Sequence, residues 1–223
     1  MERIVVTQFL YPALLVPPPS LDFHDQYAFR PTGSTTAALI SLLHTVTDLL
    51  LNNPYVAVIA LDFSKAFDTV RHATLLDKIA RLQIPDNLYN WLVDYFDGHE
   101  HCTAYGGQRS SMQSITASII QGSAIGPASY VVTAADLRTV SSSNFIVKYA
   151  DDTYLIIPAS NIHTRAAELQ NVEQWALTNN LKLNRAKTNE IIFINKGKGK
   201  SSQPPPPPLL TDIVRVTSLN ILA

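Results

Sequence analysis

Phe145-Ile146-Val147-Lys148-Tyr149-Ala150-Asp151-Asp152-Thr153-Tyr154-Leu155-Ile156-Ile157 is the stretch that decides how this chain folds. Two short apolar runs, Phe145–Tyr149 and Thr153–Ile157, are separated only by Ala150-Asp151-Asp152. That pattern reads as a β-hairpin with acids at its tip. On its own an Asp-Asp pair is usually just a turn, because Asp bonds its own backbone there. The rest of the chain changes the weighing.

Upstream, Tyr55–Leu61 is a continuous apolar run that ends in Asp62. It reads as a strand buried on both faces. If it lies beside the hairpin, Asp62, Asp151 and Asp152 converge at one edge of a sheet. Like charges that close raise one another's pKa values, and the cluster needs a cation. Hard oxygen ligands favour Mg²⁺ over zinc. Two such ions ~4 Å apart would suit an in-line phosphoryl displacement.

Working outward, the pattern predicts helices interspersed among the strands. Ser34 or Thr35 caps a helix with Leu39, Leu42, Leu43, Val46 and Leu50 on one face. One later helix carries Leu75, Leu76, Ile79 and Leu82, and another starts at Pro85. Gly106-Gly107 marks a hairpin between Glu100–Tyr105 and Ser111–Ile119. Pro127 sits in the first turn of a helix running to about Arg138. The next helix runs from about Ile162 to Asn179, with Ile162, Ala166, Leu169, Val172 and Ala176 inward and Asn179 or Asn180 as a left-handed cap. Glu190–Asn195 and Val214–Leu222 read as strands, and Met1–Ser20 as a short helix or extended arm. Lys196–Pro208, with its Lys/Gly alternation and five prolines, reads as a solvated loop. The sum is an α+β fold, an antiparallel sheet backed by helices.

Composition sets limits on this reading. The chain has 223 residues and is 46% hydrophobic, enough for a real core. A single cysteine, Cys102, excludes an internal disulfide framework and fits a reducing compartment. His99-Glu100-His101-Cys102 is a poor zinc site, since a period of two sends Cys102 to the opposite face from the histidines. No apolar run is long enough for a membrane span, and Thr7, Gln8 and Pro12 interrupt the one stretch that imitates a signal peptide. The expected location is intracellular, cytoplasm or nucleus. Residues 1–181 hold 10 basic against 16 acidic residues, whereas 182–200 hold six basic against Glu190 alone. A chain that grips a phosphate backbone needs basic surface, and most of this chain lacks it.

Five blocks resemble those of reverse transcriptases of retrotransposons without long terminal repeats. Tyr149-Ala150-Asp151-Asp152 resembles the catalytic hairpin, and Asp62-Phe63-Ser64-Lys65-Ala66-Phe67-Asp68 the first catalytic motif. Gln121-Gly122-Ser123-Ala124-Ile125-Gly126-Pro127 resembles the second conserved block, and Leu181–Thr188 the block after the palm helix. Gln26–Thr36 resembles the fingers motif before the first strand. They occur in family order over residues 26–195, and Val216–Leu222 is similar to the start of the primer-grip strand.

The resemblance implies a palm with partial fingers: arm and fingers over 1–54, palm core over 55–195, a low-complexity loop over 196–208 and the start of the primer grip over 209–223. It implies an RNA-directed DNA polymerase that uses two Mg²⁺ ions (Mn²⁺ as a substitute), an RNA template, a DNA primer and deoxynucleoside triphosphates. Asp62, Asp151, Asp152 and the Phe63 carbonyl would hold metal. Phe67 would exclude a ribose 2′-hydroxyl, and Gln121 and Gly122 would line the nucleotide pocket. Lys187 would protonate the leaving pyrophosphate, and Arg30 would face phosphates or template. Read without the resemblance, Phe67 is core, Lys187 a surface lysine and Arg30 half of a structural ion pair. Gly33 stands where many relatives carry a second arginine, and the family's upstream fingers blocks, thumb and endonuclease lie outside this sequence. The alternative reading is a catalytically inactive retroelement remnant, a folded palm with weak metal or nucleic-acid binding.

Overall fold

The computed structural model describes residues 1–120, 122–195 and 205–221. In chain order the elements are helices α1 (Glu2–Val5) and α2 (Tyr11–Leu15), joined by a π-helical turn at Val6–Leu10, then α3 (Thr35–Asn52), strand β1 (Tyr55–Leu61), α4 (Ala66–Thr69), α5 (His72–Ile79) and α6 (Asp86–Phe96). Short strands β2 (Glu100–His101), β3 (Ala104–Tyr105), β4 (Gln108–Arg109) and β5 (Gln113–Ser114) follow, then α7 (Ile125–Thr133) with a 3-10 turn at Ala134–Asp136. The chain continues with β6 (Phe145–Tyr149), β7 (Asp152–Pro158), a 3-10 segment Ala159–Thr164, α8 (Arg165–Thr178), β8 (Asn189–Ile194) and β9 (Val214–Arg215). Contacts divide these elements into two compact units: Met1–Phe23 with Lys65–Ala135, and His24–Ser64 with Asp136–Ala223.

The second unit is built on a five-stranded sheet of order β6-β7-β1-β8-β9. Every pairing is antiparallel except β8 with β9, which is parallel. β1 lies in the middle and is apolar throughout, so both of its faces are used. Val56 and Val58 pack with Val147, Tyr154 and Ile156 against Ala38, Leu42 and Val46 of α3. Ala57, Ile59 and Leu61, pointing the other way, are equally buried. Ser34 caps α3 as expected, its Oγ accepting the Ala37 N–H at 3.0 Å. Leu39 and Leu43, expected on the buried face, remain exposed, while Ala38 takes the inner row.

Several of the expected boundaries differ; α7, expected to run to about Arg138, ends at Thr133 with a 3-10 turn to Asp136. α8 begins at Arg165, and Ala166 is exposed, whereas Arg165 and Glu168 are buried. The helix turns a polar row inward to serve other segments. Glu168 accepts the N–H groups of Val140 and Ser141, both at 2.9 Å, and so closes the loop before β6. The left-handed cap falls on Asn180 (φ +59°), not on Asn179 (φ −94°). The final strand is confined to Val214–Arg215; Leu219 and Ile221 pack on the core without regular pairing. Of the proline loop, Lys196–Gln203 and Pro204 lie outside the described residues, and Pro205–Pro208 form no helix or strand.

In the first unit, α5 packs on α6 and α7. The buried Lys78 ties α5 to α7, its Nζ donating to the Thr133 carbonyl at 2.5 Å. The ring nitrogens of His72 lie 3.1 Å from the Phe96 carbonyl and 2.8 Å from that of Ser118. The Gly106-Gly107 turn forms as read, with φ of +57° and +77°. Its flanks shorten to two-residue pairs, β3 with β4 and β2 with β5, because all these residues are exposed and bury no apolar face. Among the described residues no helix is long and apolar enough to cross a membrane.

Candidate active site

The central pairing of the sheet puts acids together. β1 runs antiparallel to β7, and the last pair in register is Leu61 with Thr153. One step further, Asp62 stands against Asp152. β6 and β7 close at Tyr149 with Asp152, leaving Ala150-Asp151 as a two-residue turn. Positive φ at Ala150 alone (+55°) is the pattern of a type II′ turn, whose twist suits a hairpin. Asp62 and Asp151 are half-buried and Asp152 is exposed.

The electrostatics follow from that placement. Burial pushes the Asp151 carboxyl above its ordinary value of 3.8, and the charge of Asp62 adds to the effect, against a lowering by its own backbone N–H. Burial raises Asp152 too, then the charges of Asp151 and Asp62. Neither Asp151 nor Asp152, nor Asp62, forms a salt bridge with a protein cation among the described residues. No three His, Cys, Asp or Glu side chains among those residues are gathered into a ready-made metal cage. The three aspartates lie within one another's electrostatic reach, not in ligand contact.

The backbone around Asp62 is held by a collar from the Leu181–Thr188 block, a role the sequence reading did not give to its residues. Asp62 donates its N–H to Thr188 Oγ1 at 3.3 Å and accepts the Asn184 N–H at 2.8 Å. Ser64 donates its N–H to the Lys182 carbonyl at 2.9 Å, which makes Phe63 and Leu183 a bridge pair that exchanges no hydrogen bond of its own. The Phe63 carbonyl therefore has no hydrogen-bond partner among the described residues, although its ring is buried edge-on to Trp175 at 5.6 Å. The strand-end carbonyl and the three aspartates offer only oxygen donors, the kind of ligand that Mg²⁺ takes, although they are not gathered into a site here.

Two further residues expected at the site lie in the same unit. Lys187 is exposed and immediately precedes Thr188. Arg30 is half-buried, with Nη1 donating to the Gln26 carbonyl at 3.2 Å. The remaining ones belong to the other unit. Phe67 is half-buried, and its ring stacks on the buried Tyr130 with centroids 4.4 Å apart. Gly122 adopts φ +84°, a conformation that favours glycine, with open space where a Cβ would stand. Gln121 lies outside the described residues. In the same block a Cβ on Gly126 would come within 2.7 Å of Ile119, so that glycine is required by close packing. His99 contacts the Tyr95 carbonyl through Nε2.

Comparison with known proteins bears on this arrangement. Residues 2–210 match the family described as "Reverse transcriptase (RNA-dependent DNA polymerase)". The chain is 30% identical over 182 residues, 77% of its length, to "RNA-directed DNA polymerase from mobile element jockey" of Drosophila melanogaster. It is 24% identical over 179 residues to "Probable RNA-directed DNA polymerase from transposon X-element" of the same organism, again across 77% of its length. It spans 20% of the length of each of these relatives. Among solved structures, a telomerase from Candida tropicalis bound to a fragment of telomeric RNA superposes with a TM-score of 0.65 at 13% identity, covering 91% of this chain and 34% of the telomerase. The helix-backed sheet is thus the fold of a reverse transcriptase palm. The chain is similar to the polymerases of the jockey and X-element mobile elements, and, with the family matched over nearly all of its length, it belongs to the reverse transcriptase family.

Proposed function

We propose that this chain carries the catalytic palm of an RNA-directed DNA polymerase that adds deoxynucleotides to a DNA primer on an RNA template. One observation carries the reading: Asp62, Asp151 and Asp152 come within electrostatic reach of one another at the end of the β1–β7 pairing, and none of them forms a salt bridge with a protein cation among the described residues. Asp62 and Asp151, with Asp152 and the Phe63 carbonyl, would hold two Mg²⁺ ions, with Mn²⁺ as a substitute. Bound metal would supply charge stabilisation for the attacking and leaving oxygens.

The chain's own residues do the rest. The collar from Asn184 and Thr188 fixes the direction of the Asp62 backbone before any ligand arrives. The Phe67 ring, oriented by Tyr130, offers a flat apolar surface with no partner for a ribose 2′-hydroxyl. Gln121 and Gly122 line the nucleotide pocket, the glycine letting the backbone approach closely. Lys187, exposed, would protonate the leaving pyrophosphate, and Arg30 would face phosphate or template while anchored at Gln26. Residues 55–195 are the palm core, 1–54 the arm and partial fingers, and 209–223 the start of the primer grip.

The test is incorporation of labelled deoxynucleotide on a primed RNA template with Mg²⁺. Asp151→Asn should lower the rate by roughly a thousandfold, since a metal-held charge contributes several kcal/mol to such a transition state. Equal incorporation by the parent and by Asp151→Asn would end this reading, and no incorporation by the parent would favour an inactive remnant.

A further inference from the structure

The turn that carries Asp151 is held from outside the hairpin by one amide side chain. Gln26 is 2% exposed and lies beside β6 through a parallel bridge to Lys148. Lys148 donates its N–H to the Asp25 carbonyl at 2.7 Å, and Tyr27 donates to the Lys148 carbonyl at 2.8 Å. The side chains reinforce the bridge: Lys148 Nζ, fully buried, lies 2.9 Å from Asp25 Oδ2 and donates to the Leu137 carbonyl at 2.9 Å. From this anchored position Gln26 Oε1 accepts two backbone N–H groups, that of Ala150 at 3.0 Å and that of Ala28 at 2.9 Å. Its Nε2 faces the Ala150 carbonyl at 3.5 Å. Two converging N–H donors fix which end of the amide is oxygen.

Ala150 needs such a partner. It is 8% exposed, so its backbone groups have little water to bond. Its φ of +55° is unfavourable for a residue with a Cβ. The turn conformation sets the direction of Asp151, the next residue, and of Asp152 after it. Resting on the metal-holding reading above, we propose that Gln26 is a positioning residue: its amide clamps Ala150 and thereby fixes the aspartate turn in the geometry that takes up divalent metal.

The test uses the full chain, with Mn²⁺ as the probe. Amide hydrogen exchange followed by NMR reports on the clamp, and electron paramagnetic resonance of free Mn²⁺ reports on metal uptake. In Gln26→Leu the Ala150 amide should exchange about tenfold faster or more, while amides in the middle of β7 keep their protection, and Mn²⁺ affinity should fall about tenfold, the effect of one lost buried hydrogen bond. Gln26→Asn, one methylene shorter, should show the same two losses and serves if the leucine variant does not fold. Gln26→Glu keeps an oxygen acceptor, so it should keep the Ala150 amide protected. Unchanged Ala150 exchange in the leucine or asparagine variant overturns the clamp, and faster exchange with unchanged Mn²⁺ affinity overturns the positioning role. Mn²⁺ binding that survives Asp151→Asn would instead overturn the metal reading itself, while Ala150 exchange still decides whether the clamp exists.

Discussion

Two groups of acid share the sheet-bearing unit, and they are treated in opposite ways. Glu190 on β8 is 1% exposed and carries a full complement of cations. Its Oε1 meets Arg165 at 2.5 Å, and its Oε2 accepts from Arg215 Nε at 2.7 Å. Both guanidinium groups also donate to the Pro208 carbonyl, at 2.9 and 3.2 Å, so the charge is neutralised and used to pin the last residue of the proline run. At the end of β1 and β7, Asp62, Asp151 and Asp152 face no protein cation among the described residues, and burial raises the latter two. An acid that serves structure is given its counter-charge by the fold. Acids left without one are suited to a counter-charge that comes from solution.

The contrast is broken most severely at the active edge. Asp151→Asn should cost roughly a thousandfold in incorporation, by the metal argument above. Next in size is stability. Arg165→Ala leaves Glu190 buried with half its compensation, and should destabilise the chain by about 3 kcal/mol in urea unfolding. Asp152→Asn, which removes an uncompensated charge, should stay within about 1 kcal/mol of the parent without metal. A large loss for the second and none for the first would reverse the account.

The pH response sharpens the same comparison. The folded-state pKa values of Asp151 and Asp152 lie above the ordinary 3.8, so folding favours their protonated forms. Their contribution to stability is greatest below 3.8 and is lost as pH rises through the raised values. Mg²⁺ should offset that loss at neutral pH, as read by thermal melting across pH with and without the ion. Glu173 has the opposite sign, because the hydrogen-bonded Arg185, 2.6 Å away, lowers its pKa from the usual 4.5. Its stabilisation is present above 4.5 and is lost as pH falls through the lowered value. This pair is partly exposed, so Arg185→Ala should cost only ~0.2–1 kcal/mol. Carboxyl NMR should show Glu173 returning upward, and an unmoved titration would deny the pair its role.

How much of this was legible in the sequence depended on what each segment buries. β1 and the β6–β7 hairpin were readable because continuous apolar runs ending in aspartate leave few options for pairing. The helix Arg165–Thr178 was placed, but its inner face was misread at Ala166. Apolar spacing cannot reveal that Arg165 and Glu168 point inward to partners far along the chain. The parallel pairing of β9 with β8 depends on Glu190 meeting Arg215, a contact without local signal. At the site the convergence of the three aspartates at one sheet edge was legible, whereas the supporting roles of Thr188 and Gln26, both inside quoted blocks, were not. Each is an ordinary polar residue whose role exists only once distant strands meet.

The central claim, that the aspartates at the end of β1 and β7 await a cation from solution, is tested most directly by thermal melting of the full chain with and without Mg²⁺. The parent should melt higher with Mg²⁺. Asp151→Asn should lose that response while melting, without metal, at or above the parent. A parent indifferent to Mg²⁺, or an Asp151→Asn variant that keeps the full response, would contradict it.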